Sequence, residues 1–485
     1  ALVDQWGSEE EKYLLGNNID ASDTVNWNSG AGFSPIGNSS NKFNGQLDGL
    51  GHSIDNLNIK LVNTGVTKDI GLFGYIGKDG VVHELGLSNV QMSLNNSTSG
   101  GYVTNLITMG ALAGHSEGTI YNVFSTGNVS AKNETGIYYN SNSQTNVGGL
   151  IGRTSGTSKL SNAYSTATVL SFAQTNHISA NAFAYAGGLV GYQQAGSISN
   201  AYATGNVESR NATNNTGSIS AAGGLVGAMD SGAIATSYAS NMPKAETYAS
   251  NRGERYTGGL IGVGNGGTVE NSYWDAAGAA LAKGVGNTLV TGSAGLTSEE
   301  MKDPAKFNGF DIDDQGGTGK IWRIYKGQTS PLLRNFLTLA PLNAADQIAI
   351  YNGQKQGLGT SIFTGLNSNN ILSSLSSSKN VGNYNLSYYS NQQGYDFLGK
   401  ISANLLINKA IINAVTGITA NNKTYDGTTG TSLNAGSAGF TGMVAGDNLT
   451  VATSTANFSD KNAGTGKTVN ITDLSLGGTD AGNYD

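Results

Sequence analysis

Hydrophobic and polar residues alternate along most of the first 275 residues, in runs about four to six residues long. A period of two places side chains alternately on the two faces of a strand. Glycine, asparagine and serine separate the runs, and these residues favour tight turns. A Gly-apolar-apolar-Gly core, once with alanine in place of the first glycine, punctuates this pattern. Its copies occupy residues 71–74, 111–114, 149–152, 188–191, 224–227 and 259–262.

The repeat has a regular length. The leucines of successive cores lie 40, 38, 39, 36 and 35 residues apart. Self-similarity at such a period predicts a solenoid, in which equivalent residues of successive repeats lie above one another. If a coil takes about 20 residues, each repeat supplies two coils, and the rod has about 14 coils and a length of about 65 Å at the usual strand spacing. The predicted fold is therefore all-β, a right-handed parallel β-helix.

Two sets of equivalent positions are predicted to be structural. The core leucines form an internal apolar stack, and an apolar-x-Asn-x-aromatic pattern after each core forms an asparagine ladder and an aromatic stack. Side-chain amides in register can bond to the coils above and below. The fourth copy of this pattern has Thr236 in place of asparagine. The stack comprises Leu112, Leu150, Leu189, Leu225 and Leu260, and the ladder comprises Asn122, Asn162, Asn200 and Asn271.

A β-propeller is the competing repeat fold at this period. Its blades need four longer strands each, and the runs here are too few and too short. Thr297-Ser298-Glu299-Glu300 reads as a capping box, which predicts a short helix over residues 296–307. We expect this helix to close the open end of the rod within a cap region of about 296–337, because the last coil would otherwise expose unpaired backbone groups.

The repeat stops near Arg334, and the last third of the chain has a different pattern of alternating segments with Ser and Asn turns. Two small β-domains, β-sandwich-like or β-grasp-like, are predicted after a solenoid at 1–337. Their expected bounds are 338–412 and 413–485. Each contains a related loop, Lys379–Tyr384 in the first and Lys461–Gly464 in the second.

The amino-acid composition limits the partners and sites that this chain can have. Glycine accounts for 71 of 485 residues, proline for 5 and charged residues for 12%, which disfavours helices. The net charge of −7 is small for this length, and no basic patch suggests nucleic acid as a partner. Cysteine is absent, which excludes disulfides and thiolate metal sites. No apolar stretch of about 18 residues could span a bilayer.

The search for chemistry is negative, and no enzyme activity, cofactor or metal is expected. Four histidines occur without a metal-ligand spacing, although His83 and His115 could stack across neighbouring coils. Residues 311–317 have a weak calcium-loop pattern that lacks the final glutamate, and we interpret them as a solvated loop. Carboxylates in residues 100–275 are scattered and do not recur as pairs, as a β-helix hydrolase would need. The histidines are His52, His83, His115 and His177.

Binding is predicted to reside in insertions between the repeats. Residues 130–146 and 170–186 are longer than their counterparts, and 208–222 are variable. Loops on a rigid scaffold often carry binding residues. Aromatic rings beside Asn and Gln could stack on sugars and bond their hydroxyls; the alternative is that the rings pack on the flank of the rod. The candidate ligand-binding residues are Tyr138, Tyr139, Phe183 and Tyr185.

Some of these motifs resemble known modules. Gly187–Gly191 followed by Gly196–Val207 resembles the GLUG motif of bacterial adhesins, and Thr424–Thr429 resembles the start of a YDG repeat. Both occur in filamentous-haemagglutinin-like exoproteins. The resemblance implies export across an outer membrane through a two-partner secretion transporter, and a place at the cell surface or in a biofilm. The second small domain is then expected to be truncated at Asp485, and the chain to be an internal fragment.

The favoured interpretation is thus a fragment of a secreted bacterial surface adhesin. Its partner would be a receptor on host or bacterial cells, with a glycan as one candidate. The alternative is a self-associating stalk or filament subunit of the extracellular matrix. A polysaccharide-active enzyme ranks third.

Overall fold

The structure, a computed structural model, describes residues 11–63, 67–98, 105–136, 142–177, 179–249, 253–276, 283–288, 291–357, 365–374 and 377–485. Internal contacts divide the chain into two compact units. The first comprises Ala1–Asp314 and Thr318–Phe336, and the second comprises Gln315–Gly317 and Leu337–Asp485. The first unit holds the repeats.

Two parallel sheets, each of six strands in the described ranges, run along the first unit. Sheet B contains the second half of each Gly-apolar-apolar-Gly core, and sheet C contains the residues before it. Sheet B consists of Phe73–Ile76, Ala113–Ser116, Ile151–Thr154, Val190–Gln193, Val226–Met229 and Ile261–Gly264. Sheet C consists of Thr67–Ile70, Asn105–Gly110, Ser143–Gly148, Ala182–Gly187, Ile219–Gly223 and Glu254–Gly258.

Sheet A forms the remaining wall of the unit and also pairs in parallel from coil to coil. Its longest strands bend at the asparagine positions and continue beyond them. The strands of sheet A are Lys12–Leu14, Ile19–Asp20, Gln46–Asp48, Ser53–Asp55, Asn58–Val62, Val81–Thr98, Thr119–Thr135, Lys159–Ser165, Thr168–Thr175, Ser197–Ala203, Val207–Thr213, Ala233–Ala235, Tyr238–Ala239, Lys244–Ala249, Thr268–Glu270, Ser272–Asp275 and Ser293–Leu296. A 3-10 segment, Ser22–Gly30, precedes the third of them.

The parallel solenoid is confirmed, but the predicted coil length is wrong. Ala113 pairs with Phe73 on one side and with Ile151 on the other, so residues one repeat apart lie on adjacent strands. Each repeat is therefore one coil, because it carries one strand of sheet B, one of sheet C and the long strand segments of sheet A. The six coils that share sheets B and C span about 30 Å at the usual strand spacing.

The leucine stack is confirmed and excludes the propeller. The amide of Leu150 donates to the carbonyl of Leu189 at 3.0 Å, and the amide of Leu189 donates to Leu225 at 2.9 Å. The same bond joins Leu112 to Leu150 and Leu225 to Leu260, each at 2.9 Å. All five leucine side chains are fully buried. One continuous core therefore runs through the repeats.

The asparagine ladder owes its composition to the backbone more than to side-chain bonding. Asn122, Asn162, Asn200 and Asn271 all have φ between 44° and 54°. Asparagine tolerates this left-handed region better than other residues with a side chain, so it provides the bend in sheet A. The predicted amide bonds form only in part, since the buried Oδ1 atoms of Asn122 and Asn162 have no partner among the described residues.

Replacement of Thr236 by asparagine should stabilise the solenoid. Thr236 occupies the same bend with φ of 45°, a conformation that is costly for a β-branched residue. We expect Thr236→Asn to raise the free energy of unfolding by about 1 kcal/mol, measured by thermal and denaturant unfolding of the whole chain. Thr166→Asn, at an exposed loop position, is the control. A loss of stability in Thr236→Asn would contradict this account of the ladder.

The segment after the last repeat lies along the side of the solenoid, which corrects the predicted end cap. This segment, the strap, comprises residues 297–314 and 318–336. The partial coil Ser293–Leu296, paired with Ser272–Asp275, continues the solenoid instead. The strap includes 3-10 turns at Glu300–Lys302, Pro304–Lys306 and Arg334–Phe336 and short strands at Ile312–Asp313, Trp322–Arg323 and Leu332–Leu333.

The capping box is present, although it opens a 3-10 turn rather than a longer helix. The amide of Thr297 donates to Glu300 Oε2 at 3.0 Å, and the amide of Glu300 donates to Thr297 Oγ1 at 3.2 Å. Pro304 begins the next turn, and its ring prevents the preceding residue from continuing a helix. The helical segment is short for that reason.

The strap covers the aromatic stack of the repeats. The rings of Phe124, Tyr164, Tyr202 and Tyr238 stack in sequence, with centroids 4.9 to 5.2 Å apart and planes within 7°. Trp322 packs against the later part of this stack and Phe336 against its start. The strap thus runs back across several coils, and the stacked rings are buried beneath it.

The second unit is built from small sheets. In its first part, Thr338–Asn343 pairs in parallel with Tyr395–Lys400, and a four-stranded sheet has the order Gln347–Ile350, Ser402–Asn408, Gly382–Tyr389 and Leu372–Ser373. In its second part, antiparallel pairs join Ala414–Thr416 to Gly439–Thr441, Thr419–Ala420 to Leu433–Asn434, and Thr450–Phe458 to Val469–Gly477. Two 3-10 turns, Ser368–Asn370 and Ala481–Asn483, complete the elements.

The end of the chain packs between the two parts of this unit. Tyr484 forms a parallel bridge with Ala410. The hydroxyls of Tyr351 and Tyr484 each donate to Asp447 Oδ2 at 2.6 Å. Burial opposes ionisation of Asp447, but these two hydrogen bonds and Lys379 outweigh it and lower the pKa of the carboxyl group. One carboxylate therefore ties the segments before and after residue 412 together.

Candidate functional site

Sheets B and C approach each other closely at the second glycine of each core. A Cβ atom on Gly191 would lie 2.6 Å from the backbone nitrogen of Val147, and one on Gly227 would lie 2.7 Å from that of Ala186. Both distances are below any real contact of a side chain. The glycines therefore permit a narrow wedge between the outward faces of the two sheets, which we call the lateral wedge.

One row of side chains from each sheet fills the lateral wedge. Parallel pairing aligns the residues of each row along the axis, one per coil. The composition changes along it from charged and polar residues in the early coils to aromatic and small residues in the later ones. The sheet C row is Asp69, Thr108, Asn146, Tyr185, Ala221 and Tyr256, and the sheet B row is Tyr75, His115, Arg153, Tyr192, Ala228 and Val263.

Aromatic rings occupy the middle of the lateral wedge. The rings of Tyr185 and Tyr192 lie 5.7 Å apart across it, and Phe183 stacks beside Tyr185 at 6.4 Å on the same strand. Burial, together with the nearby charge of Asp230, raises the pKa of both tyrosines. The Tyr192 hydroxyl donates to Asp230. These rings are half-buried, so their edges form a platform at the surface.

Arg153 extends this platform by one coil. Its guanidinium lies 5.6 Å from the centre of the Tyr192 ring, which is cation–π geometry, and it donates to the side chain of Gln194. The Nε atom of Arg153 and the Nδ2 atom of Asn146 are buried donors without a partner among the described residues. The middle coils thus combine aromatic rings with the guanidinium of Arg153.

A network of charged and aromatic residues occupies the early coils. The Tyr75 hydroxyl and the Lys42 ammonium each bond to Glu117 at 2.8 Å. Burial opposes ionisation of Glu117, but the bonds from Lys42 and Tyr75 lower its pKa. His115 packs on Tyr75 at 4.1 Å, and burial, aided by the charge of Arg153, lowers its pKa to about 3. His115 is therefore neutral at physiological pH.

The first coil of the lateral wedge opens into a cavity of about 420 Å³. Asp69 lies at the junction, where it accepts a hydrogen bond from Thr108. Burial raises the pKa of Asp69, although Thr108 opposes this effect. Trp27, half exposed, packs on Phe33 beside the cavity. The cavity is lined in part by Asn28, Phe33, Pro35, Asn38, Lys68 and Asp69.

The structure changes the setting of the predicted binding residues. Phe183 and Tyr185 lie on the sheet C strand Ala182–Gly187, and Tyr138 and Tyr139 lie outside the described residues. The proposed insertions are mostly strands, because 130–135 and 143–146 extend sheets A and C, and 170–175 and 182–186 do the same one coil later. The idea that these segments are loops is therefore wrong for most of their described residues, while 176–177 and 179–181 connect strands.

Sequence analysis missed Arg153 and Tyr192. Each directly follows the second glycine of a core, as do Tyr75 and His115. The signal was available, because a position that is aromatic or cationic in four successive repeats next to two glycines is unusual for a turn. The repeat period shows which residues are equivalent, but it does not show that this position faces a second sheet.

The other two candidate chemical sites were the pair His83 and His115 and the segment 311–317, and both make contacts of a structural kind. His83 stacks on Tyr121, with ring centres 4.7 Å apart, and not on His115, which lies in another sheet. In the 311–317 segment, Asp313 accepts hydrogen bonds from the amide and hydroxyl of Thr318. Within the described ranges, no group of three His, Asp or Glu side chains is arranged to hold a metal ion.

Comparisons with known proteins place two modules in the chain. The YDG domain family matches residues 409–485, and the GLUG motif matches 143–170 and 184–208, the third and fourth coils of the lateral wedge. Over 159 residues, or 32% of this chain, the sequence is 35% identical to halomucin of Haloquadratum walsbyi. Over 94 residues, or 19%, it is 33% identical to a protein of Evansella cellulosilytica described as a Gly-rich membrane protein.

This chain spans only 2% and 10% of the lengths of these two relatives. The shared part is therefore a module within much larger proteins. Among the described residues, no helix has the length and apolar character needed to cross a bilayer.

Proposed function

We propose that the chain is part of a secreted bacterial surface adhesin and that the lateral wedge binds glycans. The observation that carries the proposal is the platform of Tyr185, Tyr192 and Arg153, where two aromatic rings and a cation lie side by side. Sugar rings stack their apolar faces on aromatic residues and bond through their hydroxyls to polar ones, as other small-molecule sites do. A rigid parallel sheet holds these groups in place without the entropy cost of ordering a loop.

The relatives support the location at the cell surface. One relative is named halomucin and the other is described as a Gly-rich membrane protein, and this chain spans only a small part of either. The chain contains both GLUG and YDG modules, and the proposal of a filamentous-haemagglutinin-like exoprotein rests on that combination. We accordingly propose export by a two-partner secretion transporter and a role in attachment to host cells, other bacteria or a biofilm matrix.

The protonation states of His115 and Glu117 do not suit acid–base catalysis. A general acid or base works best with a pKa near the working pH. The pKa of His115 is lowered to about 3, and Glu117 is held ionised by Lys42 and Tyr75. Neither group is poised for proton transfer near neutrality.

A glycan array probed with the intact chain tests the proposal. Tyr192→Ala removes half of the platform, and Arg153→Ala removes its cation. Each should weaken the strongest array signals about tenfold, equivalent to the loss of about 1.4 kcal/mol. Affinities measured by titration calorimetry with the best glycan would give the ratio directly.

Tyr248→Ala is the matched control, because Tyr248 is exposed on sheet A and lies beside Arg210 in a comparable cation–π contact. Equal binding by Tyr192→Ala, Arg153→Ala and the unmodified chain would overturn the assignment of the site. Absence of any glycan signal, with fibres forming as concentration rises, would favour the stalk. Release of reducing sugars from polysaccharides would favour an enzyme.

A further inference from the structure

The second unit contains a cavity of about 570 Å³, a size typical of sites for small molecules. Two sequence motifs that are far apart in the chain meet there. Tyr425 of the Tyr-Asp-Gly motif lines one side, and the loop Lys461–Gly464 lines the other. The strands Thr450–Phe458 and Val469–Gly477 form a long hairpin whose connection contains that loop. The YDG module thus has a concave surface at the motif that gives it its name.

Two of the three lysines that line this cavity form ion pairs with acidic residues, and the third does not within the described residues. Lys423 pairs with Asp426, and Lys467 pairs with Asp460. Lys461, by contrast, has no ion pair or hydrogen bond within the part of the chain that the structure describes, although it lines the same cavity. One exposed cation is therefore left to attract an anionic group.

The ring of Tyr425, which lines the same cavity, is accessible to a ligand. Tyr425 is 63% exposed, which is high for a tyrosine. Phe458 lies half-buried in the lining, and Asn422, Thr428, Asn462 and Thr465 supply amides and hydroxyls around the rings. Aromatic faces bordered by short polar side chains suit a sugar ring.

We propose that this cavity is a second saccharide site, independent of the lateral wedge, and that it takes a carboxylated sugar such as a uronic acid. The sugar ring stacks on Tyr425, and its carboxylate pairs with Lys461. The asparagine and threonine side chains bond to the ring hydroxyls. A surface pair of this kind in water is weak by itself, so the ring contact and the charge act together.

The test uses the intact chain with two probes, trigalacturonate and an uncharged galactose trimer, in titration calorimetry and ligand-observed NMR. We expect trigalacturonate to bind with a dissociation constant below about 1 mM. Lys461→Ala should weaken trigalacturonate about fivefold, close to 1 kcal/mol, and leave the uncharged trimer unaffected. Tyr425→Ala should weaken both.

Lys355→Ala is the matched control, because Lys355 is exposed in the same unit and has no ion pair in the described residues. Tyr192→Ala in the lateral wedge should leave trigalacturonate binding at this site unchanged, which separates this proposal from the first. No binding at about 10 mM, or equal binding by Lys461→Ala, would overturn the proposal. Equal binding of a triglutamate peptide would also overturn it, because the cavity would then recognise carboxylates without a sugar ring.

Discussion

Gly227→Ala is expected to cost the solenoid about 3 kcal/mol of its free energy of unfolding. The new Cβ atom would lie 2.5 Å from the carbonyl oxygen of Gly191 and 2.7 Å from the nitrogen of Ala186. All of these are backbone atoms of paired strands, so no side chain can rotate away to make room. Sheets B and C would have to separate, which would also disturb the rings of Tyr185 and Tyr192 in the lateral wedge. Denaturant unfolding followed by circular dichroism measures the loss.

Gly319→Ala is the control for this substitution. Gly319 has no atom within 4 Å of the position that a Cβ would take, so alanine should be neutral or slightly stabilising there. If Gly227→Ala were as stable as Gly319→Ala, the close approach of the two sheets would not be the reason for the second glycine of the GLUG core.

Trp322→Ala should destabilise the first unit by about 4 kcal/mol, the usual range for deletion of a fully buried tryptophan. Its ring packs within 6.3 Å of Tyr202, within 5.9 Å of Tyr238 and within 5.0 Å of Phe310. Trp322 is the middle contact between the strap and the aromatic stack. Its loss should detach the strap before the solenoid unfolds, because the core around the leucines is a separate cluster.

Hydrogen exchange and limited proteolysis distinguish local detachment from global unfolding. Amides of 297–314 and 318–336 should exchange faster in Trp322→Ala, whereas those of Leu150 and Leu189 should keep their protection. Trp27→Ala, at a half-exposed tryptophan, should change neither. Uniform loss of protection in Trp322→Ala would show that strap and solenoid fold as one cooperative unit.

The two proposed glycan sites lie on one chain, which would affect how it binds a polymeric glycan. Parallel pairing from coil to coil aligns the side chains of the lateral wedge along the axis at strand spacing. The proposed platform of Tyr185, Tyr192 and Arg153 and the proposed saccharide cavity of the YDG module would let one chain contact a polymeric glycan at two points. Two weak contacts on one chain raise overall affinity when the ligand can reach both.

Several features were readable from the sequence. The period of the Gly-apolar-apolar-Gly cores and the two-residue alternation determined that the fold is a parallel solenoid with a leucine stack, because only in-register coils bury one apolar position per repeat. The same reasoning located the asparagine positions as structural. Their actual cause, a left-handed backbone at residues such as Asn122 and Asn200, follows from the tolerance of asparagine for positive φ.

Other features were decided only in three dimensions. Periodicity shows which residues are equivalent but not how many strands fill one period. The predicted coil was therefore half a repeat, whereas the structure has one coil per repeat. The strap could not be placed from its sequence, because an apolar segment can cover the end or the flank of a solenoid equally well.

The lateral wedge depends on contacts between residues on two different sheets, such as Tyr185 and Tyr192. Their meeting depends on how tightly glycines let the backbones approach, which is a property of packing. The sequence alone determined the stacking of repeats along the axis, since hydrogen bonding and burial recur at each period. The tertiary structure decided what lies side by side across the axis, since no local pattern encodes the angle between two sheets.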